Sequence, residues 1–90
     1  MTYVVRFTRT ASRALSEELP EKVATAAFAF ITGALAENPQ RLGKQLKPPL
    51  YPFYSARRGE YRVIYRIVDE QLVIEVITIA HRRDSYRSSR

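Results

Sequence analysis

Residues 61–80 read YRVIYRIVDEQLVIEVITIA, a pattern that predicts two adjacent β-strands. Two sets of side chains alternate through its first eight residues, which predicts a β-strand with two different faces. Asp69 and Glu70 then interrupt the pattern and predict a turn. The near-continuous apolar run over residues 72–80 predicts a second strand, central in its sheet and covered on both faces. Strands joined by so short a turn form an antiparallel pair.

The two faces of the first strand differ in chemistry, because successive side chains point to opposite sides of a sheet. One face carries the residues predicted to form the core, namely Tyr61, Val63, Tyr65 and Ile67. The other face carries Arg62 and Arg66. Arginine binds phosphate through paired hydrogen bonds and keeps its charge. This face is a candidate anion-binding surface, and the alternative is a sheet face that meets only solvent.

The rest of the chain supplies two more strands and two helices. Alternation predicts a strand over 3–8 and another over 53–57, which turns at Arg58-Gly59. Between them, a first helix is predicted to be capped by Thr8 or Thr10 and to end at Pro20. A second helix is predicted from Pro20 to Asn38-Pro39. The order β-α-α-β-β-β predicts an α+β fold. Both N-terminal helices are expected to pack on one face of a small, mainly antiparallel sheet.

The composition indicates one domain. The chain has 90 residues, 46% of them hydrophobic, and no cysteine, which excludes disulfides, thiolate catalysis and cysteine-bound zinc. No apolar stretch approaches the roughly 20 residues that a membrane span needs. We expect a single domain over residues 1–90 with a basic C-terminal tail over residues 81–90, and a cytoplasmic protein without a membrane segment.

The net charge of +6 is unevenly placed along the chain. Residues 1–40 carry four basic and four acidic side chains, whereas residues 41–90 carry eleven basic and five acidic ones. Such a basic half predicts a polyanionic partner, nucleic acid first, and the alternative is a merely soluble basic protein. Residues 40–52 are predicted to form an exposed basic loop, because they combine Gly43 and three prolines with Lys44 and Lys47.

Few side chains in this sequence can carry chemistry. His81 is the single histidine, the carboxylates lack the spacing of a zinc or two-metal centre, and glycine is too sparse for a phosphate-binding loop. We therefore expect neither a metal nor a cofactor. Cleavage of RNA without metal needs a base, an acid and cations, for which histidine, tyrosine and arginine suffice. The alternative for His81 and Tyr86 is a surface or packing role.

Two motifs at this point resemble a known family. Residues 57–67, RRGEYRVIYRI, are similar to the R-x-G-x-Y-R-x-x-Y-x-I signature of the RelE/ParE superfamily of toxins. Residues 81–86, HRRDSY, resemble the closing H-R-x-x-x-Y of the same superfamily. Because the predicted order of elements also matches, the resemblance covers nearly the whole chain.

The resemblance implies an activity and partners. RelE-like members are ribosome-dependent endonucleases that cut mRNA without metal, and a RelB-like antitoxin neutralises them. Operator DNA would be contacted only through that antitoxin. By position, Arg62 matches a catalytic arginine, Arg82 a phosphate-binding arginine, Tyr86 a tyrosine that stacks on the base or aids proton transfer, and His81 a candidate acid or base. The RNA-binding set implied around them is Lys44, Lys47, Arg57, Arg58, Arg66, Arg83 and Arg87.

One departure concerns the general base. Prototype RelE toxins place two lysines on the second strand, and the matching positions here are Phe53 and Ser55, neither of them basic. Lys44 and Lys47 could replace these lysines only if their side chains extended from the predicted loop to the site. Otherwise, His81 would take a larger share of proton transfer.

Two other functions stay open at this point. A ParE-like toxin shares the fold but poisons DNA gyrase and does not cut RNA. The third hypothesis is a basic RNA- or ribosome-binding module without catalytic activity. The absence of the two second-strand lysines is compatible with it.

Overall fold

The computed structural model describes residues 2–81. Its helices and strands follow in the order β1 (Val4–Phe7), α1 (Arg9–Arg13), α2 (Glu21–Phe30), α3 (Pro39–Leu42), β2 (Lys44–Gln45), β3 (Tyr54–Arg58), β4 (Tyr61–Val68) and β5 (Val73–His81). Turns of π-helix at Ala14–Glu18 and Ile31–Leu35 extend α1 and α2, and a 3-10 turn at Asp69–Gln71 joins β4 to β5. None of the helices within these residues is long and apolar enough to cross a membrane.

The strands form one sheet in the order β1-β5-β4-β3-β2. β1 runs parallel to β5, and all other neighbouring strands in this sheet are antiparallel. The predicted α+β architecture, with two N-terminal helices and a mainly antiparallel sheet, is confirmed. β5 is an inner strand, as predicted, because β1 and β4 flank it.

The segment predicted to be a loop over residues 40–52 contains regular structure at its start. α3 and β2 lie there, and β2 pairs Lys44 with Ser55 and Gln45 with Tyr54. The prediction of a loop is therefore wrong for Lys44. A strand of two residues is too short for an alternating pattern to reveal it.

The two long helices begin where the sequence predicts. Thr8 caps α1, because its hydroxyl accepts a hydrogen bond from the Ala11 N–H at 3.1 Å. Pro20 precedes α2, and Glu21 lies in the first turn, where a carboxylate interacts favourably with the helix dipole.

The core lies between these helices and one face of the sheet. Tyr61, Val63 and Tyr65 of β4 are buried there, as the alternation predicts. The buried helix residues that pack in the same cluster are Ala11, Ala14, Leu19, Val23, Ala27, Ile31 and Leu35.

Within residues 2–81, β5 is mainly buried on the face that packs on the helices, whereas on its other face only Val73 is buried, contrary to the prediction that both faces are covered. Ile74, Val76 and Ile79 are buried, whereas Thr78 and Ala80 are partly exposed. The register explains the misleading apolar run. Ile64 pairs with Thr78 but Tyr65 pairs with Val76, so Ile77 is an extra residue in a β-bulge.

Tyr65 connects three parts of the fold. Its side chain is fully buried, its ring stacks on Tyr54 at 5.5 Å between centroids, and its hydroxyl donates a hydrogen bond to the Pro39 carbonyl at 2.6 Å. Gly43 passes directly against it, so that a Cβ at Gly43 would overlap the Tyr65 hydroxyl. Burial raises the pKa of the Tyr65 phenol, which keeps this donor protonated.

Gly43→Ala should destabilise the protein, because the new methyl group displaces Tyr65 from a packed site. Overpacking of this kind costs about 1–3 kcal/mol. Gly33→Ala is the matched control, since nothing lies within 4 Å of a Cβ there, and a helical Gly→Ala change typically stabilises by about 0.5–1 kcal/mol. Urea unfolding of both variants measures the difference. Equal stability of the two variants would contradict the close approach of Gly43 to Tyr65.

Tyr65→Phe should lower the free energy of unfolding by about 1–3 kcal/mol at neutral pH, because the buried Pro39 carbonyl loses its donor. Since folding raises the Tyr65 pKa above its unfolded value of about 10, its contribution is present below that pH. It is lost as pH rises through the folded pKa. Unfolding free energies measured from pH 8 upward should therefore fall more steeply for the wild type than for Tyr65→Phe. Parallel curves would show that Tyr65 is not the titrating group.

Candidate functional site

The sheet face turned away from the helices carries the candidate site. Directly paired residues share a face, so the strand register arranges these side chains in two neighbouring rows. The first row is Lys44, Ser55, Ile64 and Thr78, and the second is Arg57, Arg62 and Ala80. These seven residues define the open face, and none of them belongs to the buried core.

Arg57 and Arg62 lie directly opposite each other on β3 and β4. Like charges in this position destabilise a sheet, and neither arginine has a hydrogen-bond or ion-pair partner among residues 2–81. Arg66 on the same strand differs, since its Nε lies 2.7 Å from Glu75 Oε1. The Arg57–Arg62 pair therefore presents uncompensated positive charge, which an anion such as phosphate would neutralise.

Lys44 extends this charge onto the next strand. It is exposed and lies directly opposite Ser55, which is partly buried. Phe53 and Ser55 match the two positions at which prototype RelE toxins carry lysine. Of these two, Ser55 has a lysine as its cross-strand neighbour. Phe53 precedes β3 and is partly buried. Reasoning from sequence missed this placement of Lys44 beside the Ser55 hydroxyl, for which only the strand register gives a signal.

The strand register does not bring His81 together with Arg62. His81 pairs with Tyr61, whose side chain faces the helices, whereas Arg62 pairs with Ala80. The His81 side chain is only 12% exposed, and its Nε2 lies 3.4 Å from Glu60 Oε1. Alternation therefore directs His81 and Arg62 to opposite sides of the sheet.

The other predicted RNA-binding residues are spread over the molecule. The Arg58 guanidinium lies 4.5 Å from the centre of the Phe30 ring, a cation–π contact on the helix side. Burial raises the pKa of the neighbouring Tyr61 phenol, and Arg58 partly opposes that shift. Lys47 is exposed in the loop between β2 and β3. Four predicted site residues lie outside the described residues: Arg82, Arg83, Tyr86 and Arg87.

The open face offers cations and hydroxyls, and the described residues offer no metal ligands in a group. Within residues 2–81, no three His, Asp or Glu side chains lie together so that they could hold a metal ion. The groups that are present can hold an anion through guanidinium, ammonium and hydroxyl donors and can stabilise added negative charge on it.

Comparison with known proteins gives a consistent result. Residues 5–86 match the family model described as the ParE toxin of type II toxin–antitoxin systems. The chain is 51% identical over 85 residues to Toxin RelE of Mycobacterium tuberculosis, covering 94% of this chain and 87% of that protein. It is 45% identical over 87 residues to Toxin RelG of the same organism, a match that covers 97% of this chain and 99% of that protein.

A solved structure agrees with these matches. The fold superimposes with a TM-score of 0.88 and 43% identity on a chain of the RelBE2 toxin–antitoxin complex from Mycobacterium tuberculosis, covering 91% of this chain and 93% of that one. The family model matches most of the chain, and two relatives are more than 40% identical to it, so these matches show its family. The chain belongs to the RelE/ParE superfamily of toxins from type II toxin–antitoxin systems.

Proposed function

We propose that this toxin is a ribosome-dependent, metal-independent endonuclease that cuts mRNA and so inhibits translation. The observation that carries the proposal is the Arg57–Arg62 pair, two cations directly opposite each other on an exposed sheet face without an acidic partner in residues 2–81. A fixed cation pair costs stability in the free protein. Cations held in place in this way can stabilise the extra negative charge that develops on a phosphate in the transition state.

In the proposed reaction, the ribose 2′-oxygen attacks the adjacent phosphorus. The 2′-hydroxyl proton passes to a base, the bond from phosphorus to the 5′-oxygen breaks, and an acid protonates that leaving oxygen. A cyclic phosphate and a 5′-hydroxyl end result. Arg62 stabilises the charge on the phosphoryl oxygens, and Arg82 holds the phosphate beside it.

Proton transfer falls first to Tyr86 in this proposal. Tyr86 matches by position the tyrosine that aids proton transfer in RelE-like toxins, whereas His81 pairs with Tyr61 on the helix side of the sheet. His81 is the second candidate, and a His81→Gln variant that keeps full cleavage activity would remove it from the mechanism. The ribosome would supply the mRNA in the extended geometry that in-line attack needs.

The proposed partner is a RelB-like antitoxin that covers the basic surface. Two observations support it. The RelBE2 relative was solved as a toxin–antitoxin complex, and the whole charge excess of this chain lies in residues 41–90. An acidic or amphipathic antitoxin segment would complement that surface and exclude RNA from it.

A gyrase inhibitor is the second candidate function. The observation that favours it is the family model, whose description names the ParE toxin. The two curated relatives carry RelE-type names instead. A non-catalytic RNA- or ribosome-binding module is the third outcome that the tests below separate.

Primer extension on a translated mRNA tests the nuclease directly. With ribosomes, the wild type should give discrete cuts at A-site codons, and naked mRNA should stay intact. Arg62→Ala should lower the cleavage rate roughly 100- to 1,000-fold, the usual loss when one donor to a transition-state oxyanion is removed. Arg13→Ala is the matched control, because Arg13 is an exposed arginine on α1 that pairs with Glu17. It should cut like the wild type.

Other results would reject the nuclease. Growth arrest in cells without cuts in either condition would favour the gyrase reading, and a supercoiling assay would follow. Binding to ribosomes without cuts and without growth arrest would favour the non-catalytic module. Full activity of Arg62→Ala would overturn the role given to Arg62.

The antitoxin proposal makes a separate prediction about protection. In complex with a RelB-like antitoxin, amide hydrogen exchange should slow in β3 and β4, where the arginines of the open face lie. Charge complementarity is the reason, so the complex should also weaken as salt rises. Protection confined to residues 1–40 would contradict the proposal.

A further inference from the structure

Strand β2 holds Lys44 at a defined place beside the open face. Lys44 lies directly opposite Ser55, and the Cβ atoms of such pairs are about 4.5–5.5 Å apart. Lys44 is exposed, Ser55 is partly buried, and neither side chain has a partner among residues 2–81. An ammonium group and a hydroxyl with free donors thus stand side by side.

Both ends of β2 are fixed by packing. On one side of Lys44, Gly43 is pressed against the buried Tyr65 hydroxyl. On the other side, the Leu46 N–H donates a hydrogen bond to the Phe53 carbonyl at 2.8 Å. The Lys44 backbone is therefore held in place, and only its side chain has to order when a ligand binds.

Ser55 lies at the centre of a group of cations. Arg57 follows it by two residues on the same face of β3, and Arg62 is its diagonal neighbour on β4. Diagonal neighbours in a sheet are roughly 7–8 Å apart, within reach of long side chains. Lys44 therefore lies on one side of Ser55 and the Arg57–Arg62 pair in the next row of the same face. No acidic residue pairs with any of these three cations within residues 2–81.

We propose that Lys44 and Ser55 form a phosphate-binding subsite of the RNA strand, next to the phosphate taken by Arg57 and Arg62. The Lys44 ammonium contributes the charge, and the Ser55 hydroxyl donates one hydrogen bond. This inference rests on the proposed function in assigning the phosphate to mRNA. β2 supplies from a neighbouring strand the lysine that β3 itself lacks at Ser55.

The test measures binding of a short single-stranded RNA oligonucleotide to the purified protein by fluorescence anisotropy across a salt series. Each phosphate contact to single-stranded nucleic acid contributes about 0.7 to the slope of log affinity against log salt. Lys44→Ala should therefore reduce the slope by about 0.7. Lys22→Ala removes one lysine from α2, on the helix side, and should leave the slope at the wild-type value.

A relocation variant sharpens this test. In the double variant Lys44→Ala/Ser55→Lys, the ammonium returns from the directly opposite position, one strand away. The lost slope should return, because the slope counts charged contacts to phosphate, whereas the hydrogen bond of the replaced Ser55 hydroxyl contributes to the affinity and not to the slope. A slope unchanged in Lys44→Ala, or one that the double variant fails to restore, would overturn the subsite. Unchanged thermal midpoints are expected for Lys44→Ala, since its side chain is exposed.

The assay separates this inference from the proposed function, because it contains no ribosome and requires no cleavage. Loss of slope in Lys44→Ala without any mRNA cleavage by the wild type would keep the subsite and reject the nuclease. Ribosome-dependent cleavage with an unchanged slope would keep the nuclease and reject the subsite.

Discussion

The packing of one buried side chain, that of Tyr65, positions the neighbouring strands of the sheet. Its ring stacks on Tyr54 of β3, its hydroxyl binds the Pro39 carbonyl, and Gly43 packs against it just before β2. These contacts fix β2, β3 and β4 relative to one another. A one-residue slip of β4 would exchange its two faces and place charged arginines in the core. The packing of Tyr65 on the helix side thereby decides which side chains form the open face.

The open face contains a charge repulsion that destabilises the sheet and that a bound anion would relieve. Arg57 and Arg62 repel each other across the ladder, and the core beneath them supplies the stability that holds them in place. Arg66 shows the contrast on the same strand, because Glu75 neutralises it at 2.7 Å. Within residues 2–81 the charge of Arg57 and Arg62 has no such partner, and cations held on a sheet in this way are preorganised for an anion. In the proposed function, an acidic antitoxin segment would bind the same charge, so that neutralisation and RNA binding would compete for one surface.

Much of this arrangement could be predicted from the sequence, because strong local patterns specify it. Alternation along β4 predicted both of its faces, and Thr8 was among the predicted helix caps. Three features depend on how the strands pair, which no local sequence pattern specifies. β2 is too short to show a period, so Lys44 was predicted to lie in a loop. The bulge at Ile77 lengthened the apolar run of β5 and suggested two covered faces. The pairing of His81 with Tyr61 likewise follows from the hairpin register and cannot be read from the motif HRRDSY.

A structure of the toxin bound to a ribosome would show whether RNA binds on the open face of the sheet. The mRNA would carry a 2′-O-methyl group at the A-site codon, so that the attacking hydroxyl is blocked and the complex persists. The predicted result is an RNA phosphate in contact with Arg57 and Arg62 on the side of β3 and β4 away from α2. An mRNA bound instead on the helix side, near Arg58 and Phe30, would contradict binding on the open face.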